Sequence, residues 1–229
     1  MSTGNKEPKI PLLTYYSPSH ELLFEKHFYP SYLKHLSDDF ELFVLKDQQT
    51  CDVVFRKGNW NKQVKEKVTY VNNFIQDTAS DFFLFSDVDI IFYKNVKEDL
   101  LFEMYNVDIG FQSDNTKGQT DNLCSGFYCC RVNNKTKSFF NYLTNHYDNN
   151  QSDQQNFNLF LPKSDLNYKP LSNKFYNFSH STGSIWHHGL KIPFPEFPIA
   201  MYHANYTVGN TNKEYLLQTF KEWDNKFFT

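Results

Sequence analysis

The segment Phe82 to Phe92 reads FFLFSDVDIIF, and its first four positions are apolar without a break. A strand with one face in water alternates apolar and polar residues, whereas one that is apolar on both faces must be covered on both sides. That is the setting of a central strand in a parallel sheet flanked by helices. The preceding sequence agrees: IPLLTYYSP from Ile10 reads as a short buried strand ending in a polar loop, and FELFVL from Phe40 to Leu45 as a second strand. Between them HELLFEKHFYPSYLKHL reads as a helix that Pro30 must kink or split. After them NWNKQVKEKVTYVNNFIQD puts Val64, Val68, Val71 and Ile75 on one helical stripe. Strand, helix, strand, helix, strand predicts an α/β fold, with ligands expected at the carboxyl edge of the sheet.

The pattern continues downstream. Helices are expected at about Lys97 to Tyr105, Lys135 to Tyr147, Asp153 to Phe160 and from about Thr211, and strands in VDIGFQS, CSGFYCCRVN and IAMYHANYTVG. Prolines at 162, 170, 193, 195 and 198 make the C-terminal third rich in loops. No repeat, low-complexity tract or linker divides the 229 residues, so residues 1–229 are expected to form a single domain. With 24 Phe and 15 Tyr the chain cannot stay solvated and disordered. A formal net charge of -3 offers no global field for nucleic acid. No run approaches the ~20 apolar residues of a membrane span, and MSTGNKEPKIPLLTYYSP lacks the basic and apolar regions of a signal peptide. A soluble, unexported, cytoplasmic protein is the expectation, with Cys51, Cys124, Cys129 and Cys130 as free thiols.

Asp87 and Asp89 interrupt the apolar run instead of ending it. Asp is a common turn and cap residue, and a bare D-x-D pattern is satisfied by that role alone. The strand, however, resumes with IIFY, and unpaired buried carboxylates are costly. In an extended segment, residues i and i+2 point the same way, so the two carboxylates can converge on one hard divalent cation.

FLFSDVDIIF resembles the D-x-D segment of nucleotide-diphospho-sugar glycosyltransferases of the GT-A fold. QSDN (Gln112 to Asn115), CSGFYCCRVN (Cys124 to Asn133), DQQNFN (Asp153 to Asn158) and HANYTVGNTNK (His203 to Lys213) resemble that family's later blocks in the same order. The likeness covers most of the chain from Thr14. It implies a Rossmann-like GT-A domain with a mostly parallel central sheet flanked by helices and a loop-rich C-terminal region. The implied activity is metal-dependent transfer of a sugar from a nucleotide-diphosphate donor, a UDP-sugar, to a hydroxyl of a glycan or protein acceptor.

The resemblance also implies roles. Asp87 and Asp89, with Val88 between them, and His203 would hold Mn2+ or Mg2+ against the donor diphosphate, and an imidazole beside carboxylates tilts the preference toward Mn2+. Gly209 would let backbone approach phosphate, and Lys213 would contact the diphosphate. His187 and His188 are rival imidazoles. Asp153 is the candidate catalytic carboxylate and Gln154 its sugar-binding neighbour, although an acidic residue at a helix start is explained equally by the helix dipole. Asp114 is the second carboxylate candidate. Cys124 and Ser125 stand where the family commonly has Asn or Thr, while Gly126 marks a close approach inside a strand. Lys67 is either a basic residue near the donor or a solvated lysine like Lys62 and Lys65. Thr14 and Tyr15, at the end of the first strand, would meet base and ribose.

Two other readings compete. A haloacid-dehalogenase phosphohydrolase also uses a strand-end D-x-D, but near the N-terminus and with a small Thr or Val where this chain has Ile91. A non-catalytic sugar-binding module suits the aromatic composition and leaves the carboxylate and His blocks without a purpose.

Overall fold

The computed structural model describes residues 7–48, 60–114, 122–177, 185–192, 194–195 and 198–227. Strands β1 (Ile10–Tyr16), β2 (Phe40–Lys46), β3 (Phe82–Ser86), β5 (Ile109–Ser113), β6 (Leu123–Arg131) and β7 (Tyr168–Pro170) build a six-stranded sheet in the order β2-β1-β3-β6-β5-β7. β1 runs parallel to β2 and β3, and β5 runs parallel to β7. Only β6 is reversed, pairing antiparallel with β3 and β5. The sheet is therefore mostly parallel, as the uninterrupted Phe82 to Phe85 run implies. Phe83 and Phe85 join the hydrophobic cluster on one face and Leu84 the cluster on the other. Each such fully buried side chain contributes about 1.5–3 kcal/mol.

Helices flank the sheet. On the Phe83 face, α3 (Trp60–Asp77) buries Val68, Val71 and Ile75 against Phe83, Phe85 and Leu13, beside α5 (Asn134–Asn145) and α6 (Asp153–Phe160). α6 starts where it does because Ser152 and Gln155 form a capping box, each side chain accepting the other's backbone N–H. The Leu84 face is covered by α1 (Glu21–Leu23), α2 (Tyr29–His35), α4 (Lys97–Glu103) and α7 (Asn210–Phe227). Pro30 splits the first helical stretch as expected. A π turn over Phe24–Phe28 joins α1 to α2, with the Tyr29 N–H reaching back to the Phe24 carbonyl, so the chain is already widened where proline lacks a donor and needs room.

One expectation needs correction. The strand does not resume after Asp89. Asp87 to Asp89 form a bend, and β4 (Ile90–Phe92) belongs to a separate three-stranded sheet, β4-β9-β8, with β9 (Met201–His203) and β8 (Phe175–Asn177). The chain leaves one sheet and enters another across the D-V-D segment. Hydrogen bonds at both ends hold that crossing: Asp87 N to Gly126 O at 2.7 Å, and Ala204 N to Asp89 O at 2.9 Å.

A second irregularity shapes the same place. Between β5 and β6 the register jumps from Phe111↔Tyr128 to Gln112↔Cys124, so Ser125, Gly126 and Phe127 bow out of the β5 ladder. Cys124, Cys129 and Cys130 are buried free thiols, while Cys51 and Asn115 lie outside the described residues. Among the described residues no helix is long and apolar enough to cross a membrane.

Candidate active site

A cavity of about 640 Å3 opens where β1 and β3 end, between the first turns of α3, α6 and α7. Asp87, Asp89 and His203 meet on its wall, and one ligand atom from each lies within 4.8 Å of the others. Convergence of the carboxylates was expected from strand alternation. The bend brings it about instead.

Each carboxylate has its own cation. Asp89 Oδ1 lies 3.2 Å from His203 Nε2 and Asp89 Oδ2 lies 2.5 Å from Lys213 Nζ. Asp87 Oδ1 lies 3.1 Å from Lys67 Nζ, which also contacts Asp153 Oδ2 at 2.5 Å. Burial pushes both aspartates toward the neutral form. For Asp87 it prevails over Lys67, with the Asp89 charge adding to it, and its pKa is raised. For Asp89 the Lys213 ammonium and His203 outweigh burial and hold it well below the usual carboxylate range. Burial alone would lower Lys67, yet Asp153 and Asp87 raise it, so it stays charged. Lys67 is thus a buried bridge and not a solvated lysine like Lys62.

The donor set fits a divalent cation. Two carboxylates and an imidazole suit a borderline-hard ion. Among the described residues lining the cavity, the four carboxyl groups of Asp87, Asp89, Asp114 and Asp153 outnumber the ammonium groups of Lys67 and Lys213. Gly126 makes room: a Cβ there would stand 2.6 Å from both Asp87 Oδ2 and His203 Cε1. The glycine in the strand does mark a close approach, by the ligand side chains themselves.

Deeper in the cavity Ser125 Oγ donates to Asp153 Oδ2 at 2.9 Å. Buried Asp114 is encircled by amides: Oδ2 accepts from Gln154 Nε2 at 2.9 Å, and Oδ1 from Asn177 Nδ2 at 2.9 Å and Asn205 Nδ2 at 2.5 Å. Gln154 also donates to Asn122 Oδ1 at 3.1 Å. Tyr15 lines the other end and donates to Asp47 Oδ2 at 2.7 Å, beside Gln63 Nε2 at 3.1 Å. Val88 lines the cavity between the aspartates.

Three expectations fare differently. Thr14 is fully buried and does not line the cavity, whereas Tyr15 and Tyr16, nearer the carboxyl end of β1, do. Gly209 does not line it either; it precedes α7 with φ +88°, and a Cβ there would have nothing within 4 Å. His187 and His188 are exposed and lie outside the ligand cluster.

Sequence reasoning missed His20, Asn122, Asn205 and Tyr206, which also line the cavity. His20 Nδ1 sits among the hydroxyls of Ser17 at 3.2 Å and Ser19 at 3.0 Å. Burial, aided by Lys213 and opposed by Asp89, lowers its pKa to about 4. Its place just after the first strand was the available signal, since the carboxyl ends of strands form the ligand edge.

A family model described as nucleotide-diphospho-sugar transferase matches residues 18–217. Solved structures share the fold at low identity. A glycosyltransferase involved in glycosylation of the major capsid of PBCV-1 superposes with TM-score 0.63 at 11% identity, covering 92% of this chain and 100% of that one. The galactosyltransferase LgtC, in complex with donor and acceptor sugar analogs, gives TM-score 0.58 at 10% identity, covering 96% and 97%. Mouse xyloside xylosyltransferase 1 gives TM-score 0.52 at 11% identity, covering 86% and 98%. No match is found among curated protein sequences.

Proposed function

The chain belongs to the nucleotide-diphospho-sugar transferase family, and from that premise we propose that it acts as a single catalytic domain, moving a hexosyl or pentosyl group from a UDP-sugar to a hydroxyl of a glycan or protein acceptor. The observation that carries this reading is the meeting of Asp87, Asp89 and His203 within 4.8 Å at the mouth of a cavity that also holds Lys213. Those three residues would hold Mn2+ or Mg2+, which when bound supplies Lewis-acid stabilisation of the departing diphosphate.

The chain's own groups divide the remaining work. Lys213, drawn to the metal cluster by Asp89, offers an ammonium to the diphosphate. Lys67 and Ser125 fix the Asp153 carboxylate and present it toward the sugar and the attacking hydroxyl. Gln154, Asn122, Asn205 and Asp114 make a lining of paired amides and carboxylate suited to sugar hydroxyls, with Asp114 setting the direction of its neighbours' donors. Tyr15 stands at the end where β1 would meet ribose and base. The galactosyltransferase and xylosyltransferase names of similar folds support a neutral hexose or pentose as cargo.

Thermal-shift screening of nucleotides and nucleotide sugars with and without Mn2+ tests the proposal. A donor at about 100 times its Kd adds about 2.7 kcal/mol, a rise of roughly 5–10 °C for a chain of this size, and should do so only with metal. Absence of any shift with UDP, UDP-sugars and Mn2+ together would overturn it.

A further inference from the structure

We infer that Gln112 is the positioning residue of the metal cluster: its amide oxygen takes the Nδ1 proton of His203 and so commits Nε2, with its lone pair free, to the side occupied by Asp87 and Asp89. The inference rests on the reading of Asp87, Asp89 and His203 as a cation site.

Gln112 is fully buried and lies immediately past the register jump in β5 that re-aims it. Its amide nitrogen has two hydrogens, and both are assigned by distance: Nε2 lies 3.0 Å from the Phe175 carbonyl oxygen and 3.2 Å from that of Tyr176. The reversed amide would set its oxygen against two carbonyl oxygens, an arrangement with no donor in it. Only Oε1 is then left for His203, and it lies 2.7 Å from Nδ1. A carbonyl oxygen at that distance requires a donor, so Nδ1 carries the hydrogen, and a neutral imidazole has only one. In the unprotonated ring that metal ligation requires, Nε2 is then a bare lone pair 3.2 Å from the Asp89 carboxylate. Two acceptors at that separation are poorly matched to each other and well matched to a shared cation.

The same strand pair holds both ends of this clamp. β8 lies parallel to β9 with Tyr176 beside Tyr202 and Asn177 beside His203, so the carbonyls that orient Gln112 belong to the strand next to the ligand. Gln112 reaches them from β5 of the six-stranded sheet. It therefore ties the two sheets together at the histidine.

Two measurements test the clamp. In metal-free protein labelled with 15N-histidine, the ring assigned by loss of its signals in His203→Ala should be the Nδ1–H tautomer; an Nε2–H tautomer would overturn the inference without any change to Gln112. Mn2+ affinity is then read by electron paramagnetic resonance in the absence of donor. Gln112→Met, which removes the acceptor, should bind about 10- to 100-fold more weakly. Gln112→Glu shares the loss of the two donations to Phe175 and Tyr176 but keeps an acceptor for Nδ1, and should bind Mn2+ more tightly than Gln112→Met. Equal weakening in both variants would mean that Gln112 serves only the packing of β8, and equal binding in wild type and Gln112→Met would dismiss the clamp outright. If wild-type protein binds no Mn2+, the cation site itself fails, whereas the tautomer measurement still decides whether Gln112 sets the ring.

Discussion

Asp87 leaves β3 of the six-stranded sheet and shares the Lys67 ammonium with Asp153. Asp89 enters β4 of the three-stranded sheet with Lys213 Nζ at 2.5 Å and His203 Nε2 at 3.2 Å. The two carboxylates are two positions apart, yet burial raises the pKa of one and its partners depress that of the other. The Asp89 side is an assembled ion pair that anchors the small sheet and α7. The Asp87 side is short of positive charge, and a bound cation would gain most there. Their contrast shows how one D-x-D segment can be both a structural joint and a cation site.

Removing Lys67 should produce the largest effect. Lys67→Met leaves Asp87 and Asp153 facing each other with no ammonium between them, and breaking a buried pair of this kind costs about 3–5 kcal/mol. Lys213→Met should cost less, about 1–2 kcal/mol, because Lys213 is partly exposed. Urea denaturation in chelator measures both, and equal losses would erase the proposed asymmetry. Mn2+ should restore part of the stability of Lys67→Met, since the ion supplies charge to the same carboxylates.

The aspartates themselves should diverge in stability while agreeing in activity. Either Asp→Asn change should lower metal-dependent turnover by about 10²- to 10³-fold, the scale for losing one preorganised electrostatic contact. Stability without metal follows the pKa directions. Asp89, depressed when folded, adds stability that is complete above its unfolded value near 3.8 and is lost as pH falls below it. Asp87, raised when folded, costs stability at neutral pH, and the cost disappears as pH falls through its raised value toward 3.8. At pH 7 in chelator, Asp89→Asn should therefore destabilise and Asp87→Asn should be neutral or stabilising. The same sign for both would contradict the contrast.

The half of the site that the six-stranded sheet carries was the more legible. Phe82 to Phe85 announced a strand covered on both faces, the stripe through Val68, Val71 and Ile75 announced α3, and α6 opens at Asp153 as expected. The small sheet was not readable in this way. β4, β8 and β9 have three residues each, too few for a period, and β4 finds its partner β9 only through tertiary folding. The D-V-D segment looks locally extended, so its bend between sheets left no trace in the pattern. His203 and Lys213 stood out only by resemblance. Gln112 and Asn205 stood inside blocks of resemblance without a role, and Asn122 and Asn177 stood in none, because the roles of these amides depend on which carbonyl or carboxylate lies within 3 Å or so, a matter of tertiary distance. Thr14 lies one residue short of the cavity, which begins at Tyr15 and Tyr16 near the carboxyl end of β1, and a one-residue limit of this kind is not written in the pattern.

Two glycines offer the finest division between the halves, with the smallest expected effects. Gly126 belongs to β6, and an added methyl would meet Asp87 Oδ2 and His203 Cε1 at 2.6 Å. Gly209 precedes α7 at φ +88°, with nothing within 4 Å of an added methyl. Gly126→Ala is therefore a collision with the ligands, costing about 1–3 kcal/mol as they shift, whereas Gly209→Ala is a backbone strain of about 1–2 kcal/mol. Although the stability losses are alike, the functional ones should differ. Mn2+ affinity should fall in Gly126→Ala, because its methyl fills space the carboxylate and imidazole need, and should survive in Gly209→Ala. Wild-type affinity in Gly126→Ala would mean that the three ligands can gather without the room this glycine leaves them, and the cavity wall would then not be what shapes the cation site.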